Sequence, residues 1–134
     1  MRYQKIPRLN YRIYKDEVIH TGITIAEDIN LKFLSMTTFG ILTLKEGYAW
    51  NGVTGGIDDK TNMVPSAEHD ALFQLISLGL LPAALRHVAN DRYINNCKKR
   101  KMGGFRRWTH KSILDKLSHL FCKPEKPRRI YEVF

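Results

Sequence analysis

The stretch Gly47–Leu75, GYAWNGVTGGIDDKTNMVPSAEHDALFQL, decides how the chain is organised, because the hydrophobic period changes inside it. Before it, apolar residues alternate as they do along strands. After it they recur at intervals near 3.6, the signature of helices. The stretch itself holds a glycine-rich turn with Gly52, Gly55 and Gly56, two aspartates, Asp58 and Asp59, and then a helix opening near Pro65 that presents His69 beside Asp70. Proline suits a first helical turn, where its missing N–H goes unneeded. Loop and helix are therefore expected to build one site.

Working back towards the N-terminus, residues 11–46 contain short runs rich in β-branched and aromatic residues: YRIY, EVIHTGITI, LKFLSM and FGILTL. The breaks between them, Lys15-Asp16, Glu27-Asp28-Ile29-Asn30 and Phe39-Gly40, carry residues that favour tight reversal. These runs predict antiparallel strands. Working forward, the first helix is expected to run from Pro65 to Gly79 with Leu72, Leu75 and Ile76 as its apolar stripe. A second is expected from about Pro82, with Leu85, Val88, Ile94 and Cys97 inward, stopping at Gly103-Gly104. A third should run from about Phe105 to Phe121, with Trp108, Ile113, Leu117, Leu120 and Phe121 as core. The expected architecture is one α+β domain over residues 1–122: strands over 11–46, a loop over 47–64, helices over 65–121. Residues 123–134, with two prolines and four basic residues, read as an extended basic tail.

Size and composition fit this reading. A chain of 134 residues, 43% hydrophobic, can bury one modest core. No apolar run approaches the roughly 18 residues that a membrane span requires, and MRYQKIPRLNYR lacks the apolar segment of a secretory signal. Synthesis and folding in a cytoplasm are expected. Two cysteines, Cys97 and Cys122, are too few for a disulfide scaffold and read as buried thiols. The net charge of +9 comes largely from the second half, from Lys98, Lys99, Arg100, Lys101, Arg106, Arg107, Arg128 and Arg129. Such a surface attracts anions: an anionic membrane, an acidic protein or nucleic acid phosphates. No recognised nucleic-acid motif accompanies it, so nucleic acid ranks last.

His69 and Asp70 are neighbours, so on a helix their side chains leave about 100° apart and serve different purposes. On the second helix, Asp91 follows Val88 by three and precedes Ile94 by three, an odd place for an acid. If the two helices pack antiparallel, a His69–Asp91 pair becomes possible. The carboxylate would hold one ring nitrogen and leave the other to take a proton from water, as a general base does. His87, four residues before Asp91 on the same helix, is the rival partner. Asp70, on the adjacent face, could turn to the glycine loop, where a carboxylate among backbone carbonyls is the hard-oxygen setting calcium prefers.

Two resemblances bear on these residues. Tyr48-Ala49-Trp50-Asn51-Gly52-Val53-Thr54-Gly55-Gly56, then His69-Asp70-Ala71-Leu72-Phe73-Gln74, then Asp91, resembles a phage- and prophage-encoded family of unknown function. That family's pattern is Trp-Asp-Gly-Ala-Ser-Gly-Pro, then His-Asp-Ala-Leu-Tyr, then an aspartate on the next helix. Asn51 for the usual aspartate and Gly56 for the usual proline are departures from it. The same constellation is similar to the catalytic core of phospholipase A2, most of all the disulfide-free form of parvovirus capsids, whose histidine-to-aspartate interval agrees with the 22 residues from His69 to Asp91. The resemblance implies a three-helix, phospholipase A2-like core in which His69 is the base and Asp91 the orienting acid. It also implies calcium held by Asp70 with the backbone carbonyls of Trp50, Gly52 and Thr54.

The expected function is then a phage-encoded, calcium-dependent hydrolase of glycerophospholipid esters whose basic face meets an anionic phospholipid surface. The alternative is a non-catalytic phage structural or assembly protein, in a tail or baseplate, that keeps this core and docks on other phage proteins. The first places the protein in the host cytoplasm when synthesised, the second in the virion.

Overall fold

A computed structural model describes residues 1, 3–5, 11–50 and 63–121 of the chain. It is α+β: seven short strands precede three helices among these residues. The chain divides into two compact units, one within residues 1–51 and the other within 52–127.

The first unit holds two antiparallel sheets. β1 (Tyr3–Lys5), β2 (Tyr11–Ile13) and β7 (Ala49–Trp50) form one, in the order β1-β2-β7. Tyr11 lies opposite Trp50 and Arg12 opposite Ala49. Alternation along β2 buries Tyr11 and Ile13 while Arg12 faces water and donates from Nη2 to Gln4 Oε1 at 2.9 Å. The inward rings gather: Tyr11 and Trp50 centroids lie 5.3 Å apart and Tyr48 stacks on Trp50 at 6.5 Å. β3 (Glu17–His20), β4 (Ile29–Asn30), β5 (Leu34–Met36) and β6 (Ile41–Leu44) form the other sheet, in the order β3-β6-β5-β4. Leu34 and Met36 on β5 and Leu42 and Leu44 on β6 are fully buried, the apolar-in half of a two-residue period.

The antiparallel strands over 11–46 are as the sequence suggests, with differences of detail. The EVIHTGITI run stops at His20, because Gly22 takes φ +72° and turns the chain out of the strand. Residues 29–30, read as part of a turn, are strand β4, since Ile29 is buried and pairs with Met36. Phe39-Gly40 does make the reversal before β6. Gly40, at φ +86°, leaves its carbonyl to the Thr21 hydroxyl at 2.6 Å, and that hydroxyl accepts the Ile23 N–H at 3.1 Å.

The second unit contributes α1 (Met63–Ser77), α2 (Leu85–Lys99) and α3 (Gly104–Phe121), with α2 packed on both others. Leu72, Leu75 and Ile76 form the buried stripe of α1 as expected, joined by Ala67 and Ala71. Gly79 closes α1 in the left-handed conformation, with its N–H on Ile76 O and the Leu80 N–H on Leu75 O, the paired bonds of a Schellman motif.

The inward face of α2 is only partly the one expected: Cys97 is buried and Ile94 packs against the same cluster, but the face is shifted round the helix. Ala89, Asn90, Tyr93 and Cys97 are buried, whereas Val88 is exposed. The helix has rotated its small and aromatic residues inward, where Tyr93 and Cys97 pack with Met102. Its end is different too. α2 closes at Lys101, not at the glycine pair: Lys101 sits at φ +72°, its N–H bonds Lys98 O, and the Met102 N–H bonds Cys97 O. On α3 the side facing α2 carries His110 and Leu114, which leaves Trp108 65% exposed and not in the core. The side chains of Leu117, Leu120 and Phe121, Cys122, and the tail from residue 123 lie outside the described residues.

Candidate functional site

The antiparallel return of α2 along α1 brings His69 to the helix interface. The residue is 7% exposed, with the Phe73 ring 4.1 Å from its own and the Tyr93 ring edge-on at 5.7 Å. An imidazole in such a place must satisfy its polar atoms internally. Nε2 does so with Asn90 Oδ1 at 2.7 Å. Asn90 is fully buried, and its Nδ2 donates to Asp115 Oδ1 on α3 at 3.2 Å.

The expected His69–Asp91 pair is thus not made; the partner is the preceding residue. One position along a helix is a rotation of about 100°. With Ala89, Tyr93 and Cys97 facing inward, Asn90 points to α1 and Asp91 to solvent, its side chain 63% exposed. Asp91 instead accepts Lys111 Nζ from α3 at 3.2 Å, and Lys111 also reaches Asp115 Oδ2 at 3.3 Å. Those two carboxylates, Asp91 foremost, hold the Lys111 pKa above the ordinary lysine value. His87, the rival partner for Asp91, is exposed.

An amide oxygen can only accept, so the Asn90 contact requires a hydrogen on His69 Nε2 and leaves the lone pair on Nδ1. Nδ1 lies 4.0 Å from Asp70 Oδ1, beyond direct hydrogen-bonding range, and the Asp70 side chain is 32% exposed. Nδ1 is thus the ring nitrogen on the Asp70 side, in a histidine side chain that is itself 8% exposed. The chemistry available is proton abstraction from a water lying between Nδ1 and the Asp70 carboxylate.

Next to this pair stands a second buried group. Glu68, 1% exposed, accepts Arg92 Nη2 at 2.6 Å and Nε at 2.9 Å on one oxygen and Asn96 Nδ2 at 2.8 Å on the other. It ties α1 to α2 one residue before His69 and so fixes the level at which histidine and asparagine meet. On the far side of α2, the Tyr93 hydroxyl lies 2.9 Å from His110 Nδ1. That hydroxyl supports α3 and not Asn90; Asp115 does the latter.

Of the residues expected around a cation, Asp70 is in the second unit and Trp50 in the first, while Gly52 and Thr54 lie outside the described residues. Among the described residues no group of three or more His, Cys, Asp or Glu side chains could hold a metal ion. Asp70 alone does not make a calcium site. Asn90, Asp115 and Glu68 were not foreseen from the sequence. The signal for Asn90 was present in its spacing of three and seven from Tyr93 and Cys97, a stripe that shares Cys97 with the expected one of Leu85, Val88 and Ile94 and competes with it. Asp115 had none, being brought in by the packing of a third helix. Family models, curated proteins and solved structures give no match to this chain.

Proposed function

We propose that the chain is a phospholipase A2-like protein of phage origin that hydrolyses glycerophospholipid esters, with His69 as its base. The observation that carries the reading is the 2.7 Å contact of His69 Nε2 with buried Asn90, which leaves the basic Nδ1 towards Asp70. Nδ1 takes a proton from water, the hydroxide oxygen bonds to the ester carbonyl carbon, and the ester C–O bond to glycerol breaks. The proton on Nδ1 passes to the leaving alkoxide, so no covalent enzyme intermediate forms. Asn90 keeps the Nε2 hydrogen throughout and stops the ring from turning. Calcium, when bound, would polarise the carbonyl; Asp70 is the described side chain that would hold it.

A surface suited to anionic lipid supports the same reading. Lys98 and Lys99 in the last turn of α2 and Arg100 and Lys101 just after it are exposed, as are Lys111 and Trp108 on α3. No acidic residue falls between Arg92 and Leu114. A tryptophan beside lysines and arginines is the combination that sits well at a membrane interface, and no helix among the described residues is long and apolar enough to cross one.

The test is fatty-acid release from anionic phosphatidylglycerol vesicles with calcium and with chelator, for the protein and for His69→Gln. Release that requires His69 is expected. Equal release from both proteins would end the proposal, and release that ignores chelator would remove calcium from it.

One observation favours a second reading, a non-catalytic phage structural or assembly protein. Asn90 is neutral and cannot stabilise an imidazolium as a carboxylate would. On that reading the protein is a component of purified virions and releases no fatty acid; absence from particles would count against it.

A further inference from the structure

We propose that Asp115, on α3, is the positioning residue that selects the His69 tautomer, acting through the amide of Asn90. The role as positioning residue rests on His69 being the base; the control of the tautomer does not.

The argument concerns which way round a buried amide can sit. An asparagine side chain is nearly symmetric in shape, so Asn90 could present either Oδ1 or Nδ2 to His69. Facing Oδ1, the imidazole must carry its hydrogen on Nε2 and keep Nδ1 basic. Facing Nδ2, it must offer Nε2 as acceptor and protonate Nδ1, and the nitrogen towards Asp70 is then no longer a base. Packing alone cannot separate these two arrangements. What separates them is the group on the other side of Asn90.

That group is the Asp115 carboxylate, which only accepts. At 3.2 Å it draws Nδ2 to itself, so Oδ1 faces His69 and the hydrogen is placed on Nε2. The reversed amide would set Oδ1 against a carboxylate oxygen and lose the Asp115 hydrogen bond, keeping the one to His69 only in the Nδ1–H tautomer. Because Asn90 is fully buried, water cannot reach its amide to replace the lost bond. Lys111, from one turn earlier on α3, reaches the second oxygen, Oδ2, at 3.3 Å, and so leaves Oδ1 for the asparagine. The chain Lys111, Asp115, Asn90, His69 thus runs from a surface cation to the basic nitrogen, with one donor and one acceptor at every link. A true His–Asp pair would need none of this, since a carboxylate has no wrong way round. An asparagine does, and the third helix supplies the correction.

The test compares the full-length protein with Asp115→Asn, which keeps the shape but can donate as well as accept. Long-range proton–nitrogen spectra of the imidazole, assigned with His69→Gln and recorded with His69 neutral, read the tautomer without any activity. The wild-type protein should show hydrogen on Nε2. Asp115→Asn should raise the Nδ1–H population relative to Nε2–H by roughly tenfold, the worth of one buried hydrogen-bond preference. Lys111→Met, which keeps the carboxylate, should leave the ratio within about twofold, and Asp115→Glu should stay closer to wild type than Asp115→Asn. Should Asp115→Asn not fold, Asp115→Ser, equally able to donate and accept, gives the same reading. An Nδ1–H wild type, or a ratio unmoved by both variants, overturns the proposal. A tautomer that shifts in a protein releasing no fatty acid upholds the control by Asp115 and removes only the hydrolase reading.

Discussion

Replacing Glu68 by alanine should unfold the helical unit well before the strands, and the size of the effect follows from the geometry. The carboxylate is 1% exposed and takes three hydrogen bonds, two from Arg92 and one from Asn96. Removing one member of a fully buried ion pair costs about 3–5 kcal/mol, because the other charge is left without a partner. Arg92, however, is 24% exposed, so part of its guanidinium can return to water. Glu68→Ala should therefore cost about 2–4 kcal/mol, less than the full penalty. Glu68→Gln keeps the volume and one acceptor for Arg92 but turns a donor towards Asn96, and about 1–2 kcal/mol is expected. Glu68→Leu combined with Arg92→Met removes both charges and should recover at least half of the alanine loss, since apolar replacement of a whole buried pair is often near neutral. The assay is urea unfolding followed by the helical far-ultraviolet signal, which comes from the second unit among the described residues. A midpoint for Glu68→Ala within about 0.5 kcal/mol of the parent would refute the reasoning, because that is the range of an ordinary surface change.

Three further substitutions test the backbone of the two units. A Cβ on Gly40 would stand 2.4 Å from Ile23 O and 2.8 Å from Ile23 N at φ +86°, so Gly40→Ala should cost about 2–4 kcal/mol. Gly22→Ala, at φ +72° but with nothing within 4 Å, should cost only about 1 kcal/mol; near-ultraviolet dichroism of the Tyr48–Trp50 stack reports both, and equal losses would count against the steric account. Lys101→Gly should raise stability by about 0.5–1 kcal/mol in the helical signal, as the strained left-handed lysine of the α2 Schellman motif becomes a residue suited to it, and a loss would show that the lysine side chain holds the turn.

How much of this could be read from the sequence varies with how local the cause is. The change of period at Gly47–Leu75 separates strands from helices correctly, because burial of one face imposes its period on every residue of an element. Gly79 ends α1 as expected, since a left-handed residue there costs glycine nothing. The same motif ends α2 on Lys101, where composition says nothing, and the glycine pair two residues later misleads. Strands β1, β4 and β7 have two or three residues each, too few for alternation to show. Trp108 reads as core because it recurs at helical spacing with Ile113, Leu117, Leu120 and Phe121. On α3, however, two residues separate it from His110, close to half a turn, and His110 is the one held by Tyr93.

The site failed to be legible for one physical reason, the direction in which α2 faces. The expected stripe Leu85, Val88, Ile94, Cys97 and the stripe Ala89, Tyr93, Cys97 share Cys97 and are both apolar, and periodicity does not rank them. Packing does. Ala89 lets α2 approach its neighbours closely, Tyr93 and Cys97 fill the space towards α3, and Met102 closes over them. Once that face is chosen, Asn90 must meet His69 and Asp91 must not, although Asp91 is the residue with the more familiar chemistry. The consequence reaches function. An asparagine orients an imidazole as a carboxylate does but brings no charge, and it has an orientation of its own to be settled. The orientation is settled by Asp115, whose oxygen takes the asparagine Nδ2, while its charge is met by Lys111. The carboxylate that acts on the Nε2 side of the ring therefore stands on the third helix, one hydrogen bond further from the histidine than the sequence would place it.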